Sequence, residues 1–336
     1  MAPDANAQLI ELLHRFAGKR LLVIGDVMLD RYVSGKVDRI NPEAPVPILL
    51  AESERTSAGG AGNTAKNASA LGAETTLVAV TGADASADDL KAAGEREGYR
   101  SVLIEDPGRR TTEKRRYLIH SQQMLRVDEE DTGAIGSAVE ARVIEAIEAE
   151  VSRVDAILVS DYAKGVITKG VAAAIMRAKE AHGFLVLADI KPPSIGHFIG
   201  ATAISPNLQE AHEYLGLNRL HADCSREELA SRLHERFKVD VFLTLSEDGV
   251  FVWSRETPGR HVPQAHRVEV ADTSGCGDTA AVVLILAKLC GASDTEATEL
   301  ANAAGAVIAS KVGATALTLQ ELIEALTHDS NLGTEA

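Results

Sequence analysis

The stretch that predicts most about this chain is Asp272-Thr273-Ser274-Gly275-Cys276-Gly277-Asp278-Thr279. It follows a strand-like segment, 268–270, and opens a long apolar run, 280–289. Two glycines around one small residue at the start of a helix let backbone N–H groups converge, and the helix dipole adds positive potential there. The loop is therefore suited to hold an anion such as a phosphate, with Asp278 beside it. The alternative is a glycine-rich turn in which Asp278 is only a favourable first-turn charge.

Composition narrows the class of protein. The chain has 336 residues, 45% of them hydrophobic, which is enough for a large core in either one large α/β domain with an appendage or two domains. The net charge of −15 argues against nucleic acid as a partner. No apolar run reaches membrane length and the N-terminus lacks a signal-peptide pattern, so we expect no membrane partner. Three widely spaced cysteines fit a reducing cytoplasm better than a disulfide framework.

Short apolar segments alternate with helical patterns along most of the chain. The predicted strands are 20–24, 75–80, 156–160, 184–188, 201–205 and 241–245. The predicted helices between them are 62–71, 84–97, 136–151, 169–182 and 226–237, and only helices (279–289, 295–310, 318–326) follow Gly277. This alternation predicts an α/β fold with a doubly wound, mostly parallel sheet covered on both faces. We expect one domain over residues 1–330 and a tail at 331–336.

Two stretches, 31–51 and 110–128, depart from the alternation. They contain short extended pieces, 32–37, 46–50, 112–119 and 122–127, with His120-Ser121 as a hairpin tip. These pieces predict four antiparallel strands in a small sheet that projects from the main domain and acts as a lid. The alternative is an edge extension that only completes the fold.

The chain resembles carbohydrate kinases of the ribokinase (PfkB) superfamily from about Leu21 to Leu326. Three motifs carry the resemblance: Ala58-Gly59-Gly60-Ala61-Gly62-Asn63, Pro206-Asn207-Leu208-Gln209-Glu210 and Asp272–Thr279. Within the superfamily the chain most resembles kinases of D-glycero-D-manno-heptose 7-phosphate. That closer resemblance rests on Gly25–Tyr32, Asn41–Pro47, Gln122-Gln123 with Arg126, and Ser160–Gly165. It implies a ribokinase-like fold and an ATP-dependent sugar kinase.

The resemblance gives the glycine-rich loop a catalytic role. Asp278 would take the proton from the sugar hydroxyl, and the N–H groups of Gly275, Cys276 and Gly277 would stabilise charge on the transferring phosphoryl group. Cys276 stands where the family often has alanine. A helix start could lower the pKa of its thiol, but we expect its backbone N–H to matter.

The resemblance also implies a Mg²⁺·ATP site. The residues concerned are Asn207, Leu208, Gln209 and Glu210 for the metal and phosphates, Thr244, Ser246 and Gly249 for the nucleotide wall, and Asn302 for the adenine pocket. Asn207 and Glu210 could equally be a helix N-cap with an acidic first turn, and Asn302 a polar residue between packed alanines. Asp272, Ser274 and the Val312-Gly313-Ala314 turn resemble the family's monovalent-cation loop, which would take K⁺.

Candidate sugar ligands come from the N-terminal half and from strand ends. Asp30 could accept two hydroxyls, Gly59 and Gly60 would allow close backbone approach, and Asn63 could donate and accept. Asp161 and Lys164, then Asp189 and Lys191, follow two strands at the carboxyl edge, where open α/β sheets bind ligands. The family more often has proline after that second aspartate, whereas this chain has Ile190, which puts the shape of this wall in doubt.

A phosphorylated acceptor would need local cations in a protein of net charge −15. Lys114-Arg115-Arg116 is the densest basic group outside the helices, with Arg126 on the partner strand. Strand alternation puts Lys114 and Arg116 on one face and Arg115 on the other. Lys164 and Lys191 would approach from the main sheet. The alternative is that these are solubilising charges on an exposed ribbon.

The function implied is phosphorylation of heptose 7-phosphate to heptose 1,7-bisphosphate, for ADP-heptose and lipopolysaccharide core synthesis. Related two-function proteins continue into a nucleotidyltransferase, so this chain is expected to be a kinase alone. Alternatives are a kinase of another sugar, such as fructose 1-phosphate or ribose, and a non-catalytic sugar-binding sensor. Lid sheets in this superfamily often pair across a dimer, which implies a homodimer through the lid.

Overall fold

The computed structural model describes residues 3–119, 122–217, 224–265, 268–311, 313 and 315–332. In chain order, the strands are β1 (Arg20–Gly25), β2 (Val27–Ile40), β3 (Pro47–Gly60), β4 (Glu74–Thr81), β5 (Arg100–Glu105), β6 (Glu113–Ile119), β7 (Gln122–Glu129), β8 (Ala156–Ser160), β9 (Leu185–Asp189), β10 (Ala203–Ile204), β11 (Asp240–Thr244), β12 (Val250–Trp253) and β13 (Pro258–Val262). The helices are α1 (Pro3–His14), α2 (Ala61–Ala70), α3 (Ala85–Glu97), α4 (Ser137–Glu150), α5 (Lys169–His182), α6 (Leu208–Tyr214), α7 (Arg226–Phe237), α8 (Cys276–Leu289), α9 (Asp294–Ala309) and α10 (Leu319–Leu332).

The main sheet has the order β13-β12-β11-β10-β9-β8-β1-β4-β5 in the described part of the chain. The strands from β5 to β11 in this order are parallel, and the β12–β13 hairpin is antiparallel. Both faces are buried, because Leu21 and Val23 of β1 join one apolar cluster while Leu22 and Ile24 join the other. The predicted doubly wound, mostly parallel sheet is confirmed.

Two helical layers cover this sheet. Apolar residues of α1, α2, α3, α8, α9 and α10 form one core with the sheet, and those of α4, α5, α6 and α7 form the other. The predicted helices 169–182 and 226–237 agree with α5 and α7 residue for residue. Glycine at the left-handed C-cap of α5 (Gly183, φ +72°) stops that helix where the pattern predicts. None of the described helices combines the length and apolar character that a membrane span needs.

A separate sheet of order β3-β2-β6-β7, called here the lid sheet, leaves the main domain after β1. The predicted antiparallel pairs β2–β3 and β6–β7 are present, but β2 pairs with β6 in parallel, so the prediction of an all-antiparallel lid is wrong there. The reason is topological. β1 and β5 are parallel strands, so both end at the carboxyl edge of the main sheet. The strands that follow them, β2 and β6, therefore leave this edge in the same direction. The expected tip, His120-Ser121, lies outside the described residues.

Other local predictions are also corrected. Residues 268–270 form no strand. They are exposed, and the chain is tied down only afterwards, where the N–H groups of Ala271 and Asp272 donate to the Ala309 carbonyl. The prediction missed β5, β12 and β13, which lie at or beside the two edges of the main sheet, and it missed α1, which packs against α10 and buries Leu9, Leu12 and Leu13. α10 continues to Leu332, into the expected tail, and residues 333–336 lie outside the described part.

Candidate active site

Asp278 lies in the first turn of α8 and is only 6% exposed. Asn63 Nδ2 donates to Asp278 Oδ2 at 2.8 Å, and the Tyr162 hydroxyl donates to Asp278 Oδ1 at 2.6 Å. Burial raises the pKa of Asp278, while the hydrogen bonds from Tyr162 and Asn63 work in the opposite direction. The result is a carboxylate with both oxygens oriented and little contact with water, as a positioned general base requires.

The loop before Asp278 depends on glycine at one position. Gly275 has φ +82°, and a Cβ there would lie 2.8 Å from Asn63 Nδ2. A side chain would therefore strain the backbone and displace the amide that holds Asp278. In front of Gly277 nothing lies within 4 Å of such a Cβ, so a ligand can approach the start of α8 there.

The surroundings of the Cys276 thiol disfavour its reactive thiolate form. Its Sγ donates to the Gly305 carbonyl at 3.7 Å, and burial, with the charges of Asp272 and Asp278, raises its pKa to about 11. The expectation of a lowered pKa is wrong, because burial and two nearby carboxylates outweigh the helix dipole. The Cys276 N–H already donates to the Thr273 carbonyl at 3.3 Å, a long hydrogen bond.

Tyr162 reaches Asp278 because two buried carboxylates shape its loop. Asp26 accepts the N–H groups of Tyr162 at 2.8 Å, Lys164 at 3.0 Å and Val166 at 3.2 Å. Burial raises the pKa of Asp26 to about 6 despite these donors. Asp161 accepts the N–H of Ala163 at 2.7 Å and that of Lys191 at 3.3 Å, and sugar contact by Asp161 remains a prediction. Its carboxylate therefore supports the loop.

Asp189 ends β9 beside these acids and is partly exposed. Its pKa is raised to about 8. The largest cause is burial, the negative charges of Asp278 and Glu210 add to it, and Lys191 opposes it. The raised pKa favours the neutral form of the Asp189 carboxyl, which would lower the repulsion that meets an incoming phosphate.

Asn207 and Glu210 form a capping box at the start of α6. Asn207 Oδ1 accepts the Glu210 N–H at 3.0 Å, and Glu210 Oε2 accepts the Asn207 N–H at 3.1 Å. Glu210 Oε1 accepts from Lys191 Nζ at 2.6 Å. The helix-cap alternative is thus observed, and it leaves the metal-binding role as a prediction. Leu208 and Gln209 are exposed in the same turn.

The residues predicted for the nucleotide wall lie together beyond β11. The Thr244 N–H donates to the Pro206 carbonyl at 2.9 Å, which joins this strand to the Asn207 turn. Ser246 and Gly249 have φ of +55° and +89° in a tight turn. Asn302 Nδ2 donates to the carbonyl of Val262 at 3.1 Å, so its side chain secures the end of β13. Nucleotide contact by these residues remains a prediction.

Asp30 connects the lid sheet to this cleft. It is 4% exposed and forms an ion pair with Arg116. A Cβ on Gly59 would clash with Asp30 Oδ2. The group that closely approaches the Gly59 backbone is therefore this carboxylate, whereas the sequence predicts a ligand there. Gly60, at φ +57°, lets the backbone turn from β3 into α2 against the Asp26 carbonyl. Ligand binding by Asp30, Gly59 and Gly60 remains a prediction.

The predicted basic cluster is present, but lid carboxylates neutralise it. Lys114 Nζ lies 2.9 Å from Asp128 and 3.6 Å from Glu130, and Lys164 Nζ lies 2.8 Å from Glu130. Arg126 Nε lies 2.8 Å from the same Asp128. Two carboxylates thus hold three cations, and an incoming phosphate would compete with them.

Asp272 joins two loops. Its Oδ1 accepts the Ser274 N–H at 2.8 Å and its Oδ2 accepts the Gly313 N–H at 3.1 Å. Burial opposes ionisation, but these N–H groups and the charge of Arg116 lower the pKa of Asp272. Val312 and Ala314 lie outside the described residues, so the monovalent-cation loop remains a prediction.

The fold and the cleft define a ribokinase-like sugar kinase. Residues 19–321 match the pfkB family carbohydrate kinase model, and the chain belongs to that family. It is 42% identical over 94% of its length to the bifunctional protein HldE of Caulobacter vibrioides (strain ATCC 19089 / CIP 103742 / CB 15), and 42% identical over 94% to HldE of Caulobacter sp. (strain K31). The chain spans 65% and 64% of these relatives, slightly less than two thirds.

Solved structures agree on the fold. A ribokinase-type structure from Agrobacterium tumefaciens superposes with a TM-score of 0.73 at 20% identity, covering 94% of this chain and 99% of the other. Phosphofructokinase-2 from Escherichia coli, in complex with potassium, superposes with a TM-score of 0.74 at 16% identity, with the same coverage.

Sequence reasoning missed two residues of the site, Tyr162 and Asp26. Both lie inside segments that carry the closer resemblance, 25–32 and 160–165. Asp26 directly follows β1, and Tyr162 follows β8, the neighbouring strand in the sheet. These positions could have placed both residues at the carboxyl edge of the sheet.

Proposed function

We propose that this kinase transfers the γ-phosphoryl group of ATP to the anomeric hydroxyl of D-glycero-D-manno-heptose 7-phosphate. The product would be heptose 1,7-bisphosphate, used for ADP-heptose and lipopolysaccharide core synthesis. The observation that carries the proposal is the link between buried Asp278 and the lid through Tyr162. Tyr162 donates to Asp278, and its pKa is raised by burial and in part by the negative charge of Asp30, the lid carboxylate that pairs with Arg116. The resemblance to heptose 7-phosphate kinases supports the choice of sugar.

Asp278 is the proposed base. The sugar hydroxyl would donate its proton to the Asp278 carboxylate as the oxygen attacks the γ-phosphorus. Asn63 and Tyr162 hold the two carboxylate oxygens, so the base loses little freedom when the substrate binds. The start of α8 at Cys276 and Gly277 would face the charge on the transferring group.

ATP would supply the phosphoryl group, and Mg²⁺ would neutralise charge on its phosphates. Within the described ranges, no cluster of three or more metal-ligating side chains is present. Asn207 and Glu210 would hold Mg²⁺ through water beside the phosphates of ATP. K⁺ at the loop of Asp272, Ser274 and Gly313 is proposed on the resemblance alone.

A substrate panel tests the proposal. We expect kcat/KM for heptose 7-phosphate to exceed that for the free heptose by about 10²–10⁴, the worth of two charge-assisted hydrogen bonds. Fructose 1-phosphate and ribose are the comparison acceptors, with ATP consumption and the phosphorylated product measured together. Equal kcat/KM for phosphorylated and unphosphorylated sugars would refute the heptose-phosphate assignment and leave a plain sugar kinase.

We also propose that two copies of the chain associate through the lid. Large apolar side chains are exposed on its strands: Ile40 at 61%, Leu50 at 56%, Met124 at 51% and Leu125 at 56%. Such a group of exposed apolar side chains is typical of an interaction surface.

Light scattering is expected to give a dimer for the wild type and a monomer for Leu125→Glu. Ile199→Glu, at an exposed apolar residue outside the lid, is the control and should remain dimeric. A monomeric wild type would contradict this proposal.

A further inference from the structure

The register of the lid sheet aligns four side chains across its four strands. Tyr32 of β2 lies opposite Arg55 of β3 on one side and opposite Arg116 of β6 on the other. Arg116 in turn lies opposite Arg126 of β7. Directly opposed residues of paired strands share a face. Arg55, Tyr32, Arg116 and Arg126 therefore form one row, called here the arginine row.

This row lies on the face that carries Asp30. Asp30 precedes Tyr32 by two residues and so points to the same side, as its ion pair with Arg116 shows. The end of the row formed by Arg55 and Tyr32 lies next to the main domain. A Cβ on Gly313 would lie 3.3 Å from Arg55 Nη2 and 3.6 Å from the Tyr32 hydroxyl oxygen. The Arg55 end of the arginine row therefore faces the loops of Asp272 and Gly313 in the main domain.

The cations of the row differ in their partners. Arg116 is paired with Asp30, and Arg126 is paired with Asp128. Arg55 has no carboxylate within ion-pair distance among the described residues, and it is exposed. Its guanidinium carbon lies 3.9 Å from the centroid of the Tyr32 ring, and that of Arg116 lies 5.2 Å from the same centroid. The ring therefore holds Arg55 in place while its N–H donors stay available.

We propose that Arg55, stacked on Tyr32, binds the phosphate that the acceptor sugar already carries, and that it determines the preference for phosphorylated sugars. This inference rests on the proposed function. Asp30 lies about 6.7 Å nearer the start of β2, a two-residue step along a strand. A sugar whose hydroxyls contact Asp30 and whose anomeric oxygen meets Asp278 would extend its far end along the lid towards the row.

The electrostatics favour a dianion at this place. A phosphate monoester carries a charge of about −1.5 to −2 at pH 7. Binding at Lys114 or Lys164 would have to displace Asp128 or Glu130, whereas Arg55 offers a bidentate guanidinium without displacing a carboxylate. Arg116, held beside the same ring, can add a second donor. The planar donors of arginine match phosphate oxygens better than the single ammonium of lysine.

The test is Arg55→Ala, assayed with heptose 7-phosphate, the unphosphorylated heptose and ATP. We expect the ratio of kcat/KM between phosphorylated and free sugar to fall about 10–100-fold, the range for one lost charge-assisted hydrogen-bonding group. The loss should appear as a higher KM for the sugar phosphate, with KM for ATP unchanged. Arg55→Lys keeps the charge but loses the planar donors, so it should fall between wild type and alanine.

Arg39→Ala is the matched control, because Arg39 is an exposed lid arginine outside the row. It should keep the wild-type ratio. If wild type prefers the sugar phosphate and Arg55→Ala keeps that preference, the role of Arg55 is refuted while the proposed function stands. A higher KM for ATP in Arg55→Ala would instead assign Arg55 to the nucleotide and also refute the inference. If wild type shows no preference for phosphorylated sugars, the proposed function is refuted, and this inference is refuted with it.

Discussion

Asp278→Asn is expected to lower kcat by about 10²–10⁴, the usual contribution of a positioned general base. The asparagine amide has the shape of the carboxylate but cannot accept the proton. Both contacts can remain, because the amide oxygen can accept from Asn63 Nδ2 and the amide N–H can donate to the Tyr162 hydroxyl oxygen. The fold and the binding of ATP should therefore remain. Steady-state kinetics, with ATP affinity measured separately, check this expectation.

Cys276→Ala is the control in the same turn. The thiol makes one long hydrogen bond, to the Gly305 carbonyl, and packs against the apolar core; alanine keeps the backbone N–H. The variant should stay active. Near-normal turnover of Asp278→Asn would remove Asp278 from the role of base, and a folded but inactive Cys276→Ala would show that the thiol matters.

The pH profile gives a second readout of the same substitution. Burial raises the pKa of Asp278, so the folded, ligand-free enzyme protonates its base at a higher pH than an exposed aspartate would. In the wild type, kcat/KM should fall as the pH decreases through that raised pKa. Asp278→Asn has no such carboxyl group and should lose this acidic limb. An unchanged acidic limb in the variant would assign it to another group, such as Asp26, whose pKa is raised to about 6.

Asp30→Asn is expected to reduce kcat/KM for the sugar by about 10²–10³, the cost of truncating one partner of a buried charge pair. The substitution removes a charged acceptor for sugar hydroxyls and leaves Arg116 without its carboxylate. KM for ATP should change little, since Asp30 lies on the lid. Kinetics with the sugar and ATP varied separately measure both effects.

Glu52→Gln is the control for Asp30→Asn. Glu52 is an exposed lid carboxylate that pairs with Lys36 at 3.3 Å, so its loss should cost almost nothing. If Asp30→Asn and Glu52→Gln behave alike, Asp30 has no role in sugar binding. If Asp30→Asn instead raises KM for ATP, the cleft is oriented differently from our proposal.

Much of the fold follows from local sequence patterns. The buried run of β1 and the boundaries of α5 and α7 are set by side-chain periodicity and caps, which act over a few residues. The same holds for the loop before Asp278, where Gly275 has the positive φ that glycine permits. The lid was also predictable as two hairpins, because each pairs segments close in the chain.

The sequence by itself thus determined the alternating strands and helices from β8 to α7, the lid hairpins and the carboxylate at the start of α8. Only the tertiary structure decided the parallel pairing of β2 with β6, the contact of Tyr162 with Asp278, and the alignment of Arg55 with Arg116. These features join residues that are far apart in the chain, and local periodicity carries no information about such register. The structure also decided which charges are neutralised, because Lys114, Lys164 and Arg126 meet Asp128 and Glu130 only after the lid has folded.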